Sequence, residues 1–165
     1  PIELGGGIRN IETVKDYLEH GISRIILGSA AVTDREFLKR AADLYADRIA
    51  VGIDAKDGRV AVSGWTEDSG TDYIDFAKEV EALGIKNIIF TDISKDGTLE
   101  GPSVDMLQRL SDETDCGITA SGGIKTIDDI KTLCGMNLYG AITGRAVYDG
   151  TLDLEKAVKL TKSER

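Results

Sequence analysis

Short runs of apolar, mostly β-branched residues alternate along the chain with longer stretches in which apolar residues recur at helical spacing. Most of the short runs are almost continuously apolar, which is typical of parallel strands covered on both faces. The candidate strands are residues 2–4, 24–28, 49–54, 87–93, 117–121 and 140–144. Strand–helix alternation of this regularity predicts a parallel α/β fold, with a single domain over residues 1–165.

The stretches between these runs are predicted to be amphipathic helices. Three apolar stripes have helical spacing, and Gly84 follows the third one, as is typical of a helix end. The stripes are Ile11, Val14 and Leu18; Phe37, Leu38, Ala41 and Leu44; and Ile74, Ala77, Val80 and Leu83. Two pairs, Thr33 with Glu36 and Thr126 with Asp129, have capping-box spacing and predict helix starts.

An internal repeat favours a barrel over an open, doubly wound sheet. Residues 6–31 and 122–147 align without a gap. The identical pairs include Gly6/Gly122, Gly7/Gly123, Ile8/Ile124, Ile11/Ile127, Lys15/Lys131, Ile26/Ile142, Gly28/Gly144 and Ala30/Ala146. Apolar matches arise between any two βα units through shared propensity, but glycines in ungapped register are harder to explain that way. We interpret the repeat as a duplication that generates two homologous halves.

Each copy of the repeat carries two strands that end in glycine. The first strand runs into Gly-Gly-Ile, and the second runs into Gly-Ser-Ala or Gly-Arg-Ala. Glycine lets the backbone approach a ligand closely, and N–H groups at a helix start bind anions. In a single copy these would be ordinary turn glycines. Two copies in register predict two phosphate sites, and therefore a ligand with a phosphate at each end.

Charge and composition narrow the function classes. A net charge of −9 argues against nucleic-acid binding, and no apolar run is long enough to span a membrane. The two cysteines, Cys116 and Cys134, lack metal-ligand spacing, and we interpret them as buried thiols in a reducing, cytoplasmic compartment. His20 is the single histidine, so acid–base chemistry would fall to carboxylates.

Two carboxylates and a threonine follow apolar runs, where barrel enzymes carry their chemistry. Asp54 ends one predicted strand, and Thr91 and Asp92 lie near the end of the next. Asp54 is the stronger catalytic candidate, with a helix cap or loop anchor as the alternative. Thr91 is either a substrate-binding group or an ordinary strand threonine.

Three further residues follow these strands. Asp57 and Asp96 stand in Asp-Gly pairs, whose usual role is turn formation, although Asp96 lies on a loop over the expected barrel mouth. Trp65 is the single tryptophan, and it is either a platform for a flat ring or a packing anchor.

Six motifs in order, GGGIR, GSAAV, VGIDAKDGRVAVSGW, TDISKDGTLEGP, SGGI and GRAV, resemble the phosphoribosylformimino-5-aminoimidazole carboxamide ribotide isomerases of histidine biosynthesis. The resemblance implies a (β/α)8 barrel of two homologous halves, an Amadori rearrangement of a bis-phosphorylated ribonucleotide, and no metal or cofactor. It makes Asp54 the general acid and Thr91 a substrate-orienting residue. The implied substrate- and phosphate-binding residues are Gly6, Gly7, Arg9, Gly28, Ser29, Trp65, Asp96, Gly122, Gly123, Gly144 and Arg145.

Two alternatives stay open. The cyclase subunit of imidazole glycerol phosphate synthase has a similar IDAK motif, but Gly64–Trp65 and the Gly-Arg-Ala at 144–146 favour the isomerase. The second alternative is a non-catalytic sugar-phosphate-binding barrel.

The resemblance begins at the family's third strand, so this chain corresponds to about six of the family's eight βα units. The family's second catalytic carboxylate lies at the end of the first strand, which this chain does not contain. We therefore expect a fragment of a longer chain with little activity of its own. Intact family members are expected to be monomeric, whereas a fragment would self-associate through open barrel edges or pair with a complementing segment.

Overall fold

The structure, a computed structural model, describes residues 1–163. The strands are β1 (Glu3–Gly5), β2 (Arg24–Leu27), β3 (Ile49–Lys56), β4 (Arg59–Val62), β5 (Glu67–Asp72), β6 (Asn87–Asp92), β7 (Gly117–Ser121) and β8 (Gly140–Ala141). The helices are α1 (Ile11–Glu19), α2 (Ser29–Thr33), α3 (Arg35–Tyr45), α4 (Tyr73–Ala82), α5 (Val104–Glu113), α6 (Ile127–Gly135), α7 (Arg145–Tyr148) and α8 (Leu154–Ser163).

All six predicted strands form, and they pair in parallel in the order β1-β2-β3-β6-β7-β8. The predicted parallel α/β fold is thereby confirmed. An antiparallel hairpin, β4–β5, continues from the end of β3 and was not predicted. The turn between β3 and β4 is formed by Asp57 and Gly58, whose φ angles of +51° and +81° suit a two-residue hairpin turn. Turn formation is thus the role of Asp57.

The parallel sheet is strongly curled. Four steps across a flat sheet would separate β2 from β8 by about 19 Å. Yet the Arg24 Nη2 atom of β2 donates a hydrogen bond of 3.3 Å to the hydroxyl of Tyr139, the residue before β8. The Arg24 guanidinium carbon also lies 5.4 Å from the centre of the Tyr139 ring. The sheet is therefore an incomplete (β/α)8-type barrel, within which β2 and β8 face each other.

Alternate residues of each strand separate the helix-covered core from the concave face. On β3, Ile49, Val51, Ile53 and Ala55 are buried in the core shared with the helices. Side chains of a strand alternate between faces, so Asp54 lies on the opposite, concave face of the sheet. The helix-covered core therefore lies on one face of the sheet, and Asp54 projects from the other.

One of the two predicted capping boxes forms. Thr126 and Asp129 form a complete capping box at α6. The box predicted at Thr33 is wrong, because the short helix α2 extends through Thr33 and delays the next start by one residue. Asp34 caps α3 instead, accepting a hydrogen bond of 2.8 Å from the Phe37 N–H.

Cys116 is buried, and its thiol donates to the Ile85 carbonyl at 3.3 Å. Burial, reinforced by the charges of Glu81 and Asp115, raises the pKa of Cys116 to about 11. Cys134 is half-buried rather than buried. Across residues 1–163, no helix has the length and apolar character to cross a membrane.

Candidate active site

Three oxygen-bearing side chains form a row at the carboxyl ends of neighbouring strands. Asp54 of β3 pairs in register with Thr91 of β6, and Thr91 pairs with Ser121 of β7. Residues in register on neighbouring strands project from the same face of a sheet. The row therefore lies on the concave face, and its central member, Thr91, is only 6% exposed.

Asp54 is tied to the β4–β5 hairpin by Trp65. The indole N–H of Trp65 donates a hydrogen bond of 2.8 Å to Asp54 Oδ2. Trp65 is 46% exposed and adopts a φ of +71° in the turn between the two strands. The hydrogen bond orients the carboxyl group, and Trp65 stays partly exposed beside it. A tryptophan this exposed does not anchor the core.

The first glycine cavity has a volume of about 660 Å³ and lies beside β1 and β2. Four predicted residues line it: Gly7, Arg9, Gly28 and Ser29. Gly6 lies in the same turn with a φ of +104°, but it is not among the lining residues. The wall opposite is formed by Ser63 and Gly64 of the hairpin, and the Ser63 N–H donates to Ser29 Oγ at 3.1 Å.

The second glycine cavity has a volume of about 260 Å³ and lies beside β7 and β8. The four residues of the second repeat copy that were predicted to bind phosphate line it: Gly122, Gly123, Gly144 and Arg145. Asp96, predicted to lie over the barrel mouth, lines it as well. The Arg145 Nη1 atom donates a hydrogen bond of 2.7 Å to the Gly97 carbonyl. This bond holds a guanidinium group against the loop that carries Asp96.

The backbone has nearly the same conformation in the two cavities. Gly6 and Gly7 have φ angles of +104° and +70°, and their repeat partners, Gly122 and Gly123, have +91° and +76°. The glycines that cap the following short helices also agree. The φ and ψ angles are −99° and −116° at Gly28, and −109° and −96° at Gly144. Neither cap has a side chain to bond to the N–H groups that follow it.

The polar row leads from one cavity to the other. The first cavity lies beside β2, the row crosses β3, β6 and β7, and its last member, Ser121, lines the second cavity.

Residues 1–153 match the model of a protein family described as histidine biosynthesis protein. The chain belongs to this family. It shares the family with isomerases that are closely similar in sequence over almost all of its length.

Three relatives carry the name 1-(5-phosphoribosyl)-5-((5-phosphoribosylamino)methylideneamino) imidazole-4-carboxamide isomerase. The protein of Clostridium beijerinckii is 57% identical over 165 residues, which are 100% of this chain and 69% of that protein. The Clostridium novyi protein is 55% identical over 162 residues, 98% of this chain and 68% of its own length. The Clostridium botulinum protein is 52% identical over 164 residues, which are 99% of this chain and 68% of that protein.

Sequence reasoning missed several residues that line the site, among them Ser63, Gly64 and Ser121. Ser63 and Gly64 belong to a hairpin that the apolar pattern does not reveal, and they approach the first cavity only because the hairpin folds back over it. Ser121 ends β7 in the row that Asp54 and Thr91 begin. Comparing the last residues of neighbouring predicted strands would have identified Ser121.

Proposed function

We propose that this chain carries the substrate-binding and acid-catalytic parts of an aldose–ketose isomerase of histidine biosynthesis. The observation that supports this most directly is the placement of the Asp54–Thr91–Ser121 row between two glycine cavities of matched backbone. The name of the Clostridium beijerinckii relative contains two phosphoribosyl groups. A substrate of that kind would place one phosphate in each cavity and its reacting sugar near Asp54.

Asp54 would act as the general acid. It donates a proton to the ribose ring oxygen as the bond from that oxygen to C1 breaks. The lone pair of the nitrogen bonded to C1 forms a C=N bond as the C1–O bond breaks, which gives an open-chain, protonated Schiff base. Loss of the C2 proton to a base produces an enolamine, and its tautomerisation gives the aminoketose. The family resemblance assigns that base to a carboxylate at the end of the family's first strand.

Thr91 and the cavities would hold the substrate in place. We propose that the Thr91 hydroxyl bonds to a sugar hydroxyl, since its strand register places it directly beside Asp54. The backbone N–H groups after Gly28 and Gly144, with Arg9 and Arg145, would bind the phosphates locally despite the net charge of −9. The family resemblance implies that the reaction uses neither a metal nor an organic cofactor. The proposed location is the cytoplasm.

A complementation assay tests this function. The purified chain is assayed for isomerisation, alone and after co-expression with the segment of the Clostridium beijerinckii relative that it does not match. We expect little turnover from the chain alone and clear turnover from the pair, because the added segment supplies the base. Phosphate-ligand binding without turnover in the pair would instead support a sugar-phosphate binder. Conversion of the ketose product to an imidazole on addition of ammonia would support the cyclase.

We also propose that the isolated chain self-associates through its sheet edges. Within residues 1–163, β1 and β8 each pair on one side only. Beside β8, an apolar groove of about 280 Å³ is lined by residues of α6 and α8, including Leu154 and Val158, which are exposed. An open strand next to exposed apolar surface is a template for association.

Light scattering at roughly tens of micromolar is expected to show dimers or larger species. Val158→Lys places a charge in the groove and should shift the population toward monomer. Leu44→Lys is the matched control, because Leu44 is exposed on α3 and does not line the groove. A monomeric chain, or equal effects of the two substitutions, would contradict association through this edge.

A further inference from the structure

Asp92 is a buried carboxylate that lies behind the site rather than in it. It follows Thr91 on β6, so its side chain lies on the face of the sheet opposite the concave one. It is 7% exposed, and no atom of it lines either glycine cavity. Any influence of Asp92 on a ligand must therefore pass through the residues that it holds.

The Asp92 carboxylate accepts three hydrogen bonds from the segment that follows it. The Ser94 N–H and hydroxyl donate to Oδ1 at 2.9 and 2.6 Å, and the Ser103 hydroxyl donates to Oδ2. Burial disfavours the ionised form, but these bonds and the charge of Lys95 outweigh it and lower the pKa of Asp92 below its usual value. The carboxylate thus joins both ends of the loop formed by residues 93–103.

This loop forms one wall of the second cavity. Asp96 and Gly97 lie at its tip and line the cavity, and the Gly97 carbonyl accepts the hydrogen bond from Arg145. Near the end of the loop, the Gly101 N–H donates to the Gly123 carbonyl at 2.9 Å. The loop therefore carries the Asp96 carboxylate and supplies one of the two anchors of the Arg145 guanidinium, the other being Asp149, whose Oδ2 accepts from Arg145 Nε at 3.0 Å.

We propose that Asp92 is a positioning residue that shapes the second cavity by clamping both ends of the 93–103 loop. This inference rests on the proposed function for the identity of the ligand, a phosphate group. A carboxylate suits the position because it accepts hydrogen bonds at both oxygens, whereas an amide offers one acceptor oxygen and two donors. Charge-assisted bonds of this kind are also stronger than neutral ones.

Hydrogen exchange of the loop is the first test. In Asp92→Asn and in Ser103→Ala, amides of residues 93–103 should exchange at least about tenfold faster than in the unsubstituted chain. Ser103→Thr keeps the hydroxyl and should restore slow exchange. Asp105→Asn is the control, because it removes an exposed carboxylate at the start of α5, two residues after Ser103. Unchanged loop exchange in Asp92→Asn would overturn the proposal.

Titration with inorganic phosphate, followed through the amide NMR signals of Gly28 and Gly123, is the second test. Asp92→Asn should weaken binding at Gly123 by at least about fivefold and leave binding at Gly28 unchanged. Equal weakening at both glycines would indicate general loosening and would overturn the proposal. If phosphate binds neither cavity of the unsubstituted chain, the proposed function fails, while loop exchange still decides whether Asp92 is the clamp.

Discussion

Asp54→Asn is expected to lower kcat/KM for the proposed isomerisation by about 10²- to 10⁴-fold, the range for loss of a positioned general acid. The amide has nearly the shape of the carboxyl group and can still accept the hydrogen bond from Trp65. It has no acidic proton to give to the ribose ring oxygen. The rate should therefore fall without a comparable loss of stability. The measurement is steady-state kinetics of the complemented chain, with urea unfolding of the same variant.

Asp57→Asn is the matched control, because it makes the same chemical change three residues further along. Asp57 lies in the β3–β4 turn with a φ of +51°, a conformation that asparagine also tolerates before glycine. Activity and stability should both stay close to those of the unsubstituted enzyme. A loss of less than about tenfold in Asp54→Asn, or an equal loss in Asp57→Asn, would remove Asp54 from the role of acid.

The parallel sheet was predictable because burial on both faces gives its strands continuous apolar runs. The placement of Asp54 and Thr91 at strand ends was predictable for the same reason, since polar residues that end such runs lie at the mouth of a parallel barrel. Their catalytic roles stay a prediction. The two glycine cavities could be predicted because the repeat places equal glycines at equal strand ends, and their backbone angles agree closely.

The hairpin was not predictable from apolar periodicity. Strand β5 has the sequence EDSGTD, and it is a strand because it pairs with β4 rather than because one face is apolar. The contact between Trp65 and Asp54 depends on that hairpin, so it was missed as well. The clamp at Asp92 depends on the path of the 93–103 loop, which sequence spacing does not determine. Contacts that need a specific loop path were thus beyond sequence reasoning, whereas strand ends were within it.

Gly123→Ala is expected to lower the free energy of unfolding by about 3 kcal/mol or more. Two costs combine there. Alanine at a φ of +76° is strained by about 1–2 kcal/mol. In addition, its Cβ would lie 2.1 Å from the carbonyl oxygen of Gly101, a backbone atom that cannot move aside as a side chain would. The measurement is urea unfolding followed by circular dichroism.

The internal repeat supplies the control for this experiment. Gly7 is the partner of Gly123 and has a similar φ of +70°, but a Cβ added to Gly7 would meet no atom within 4 Å. Gly7→Ala should therefore cost only the backbone strain, about 1–2 kcal/mol. The difference between the two variants isolates the contact of Gly123 with the loop at Gly101. Equal losses in the two variants would mean that the loop yields to the new side chain. In that case the second cavity would be no more tightly built than the first.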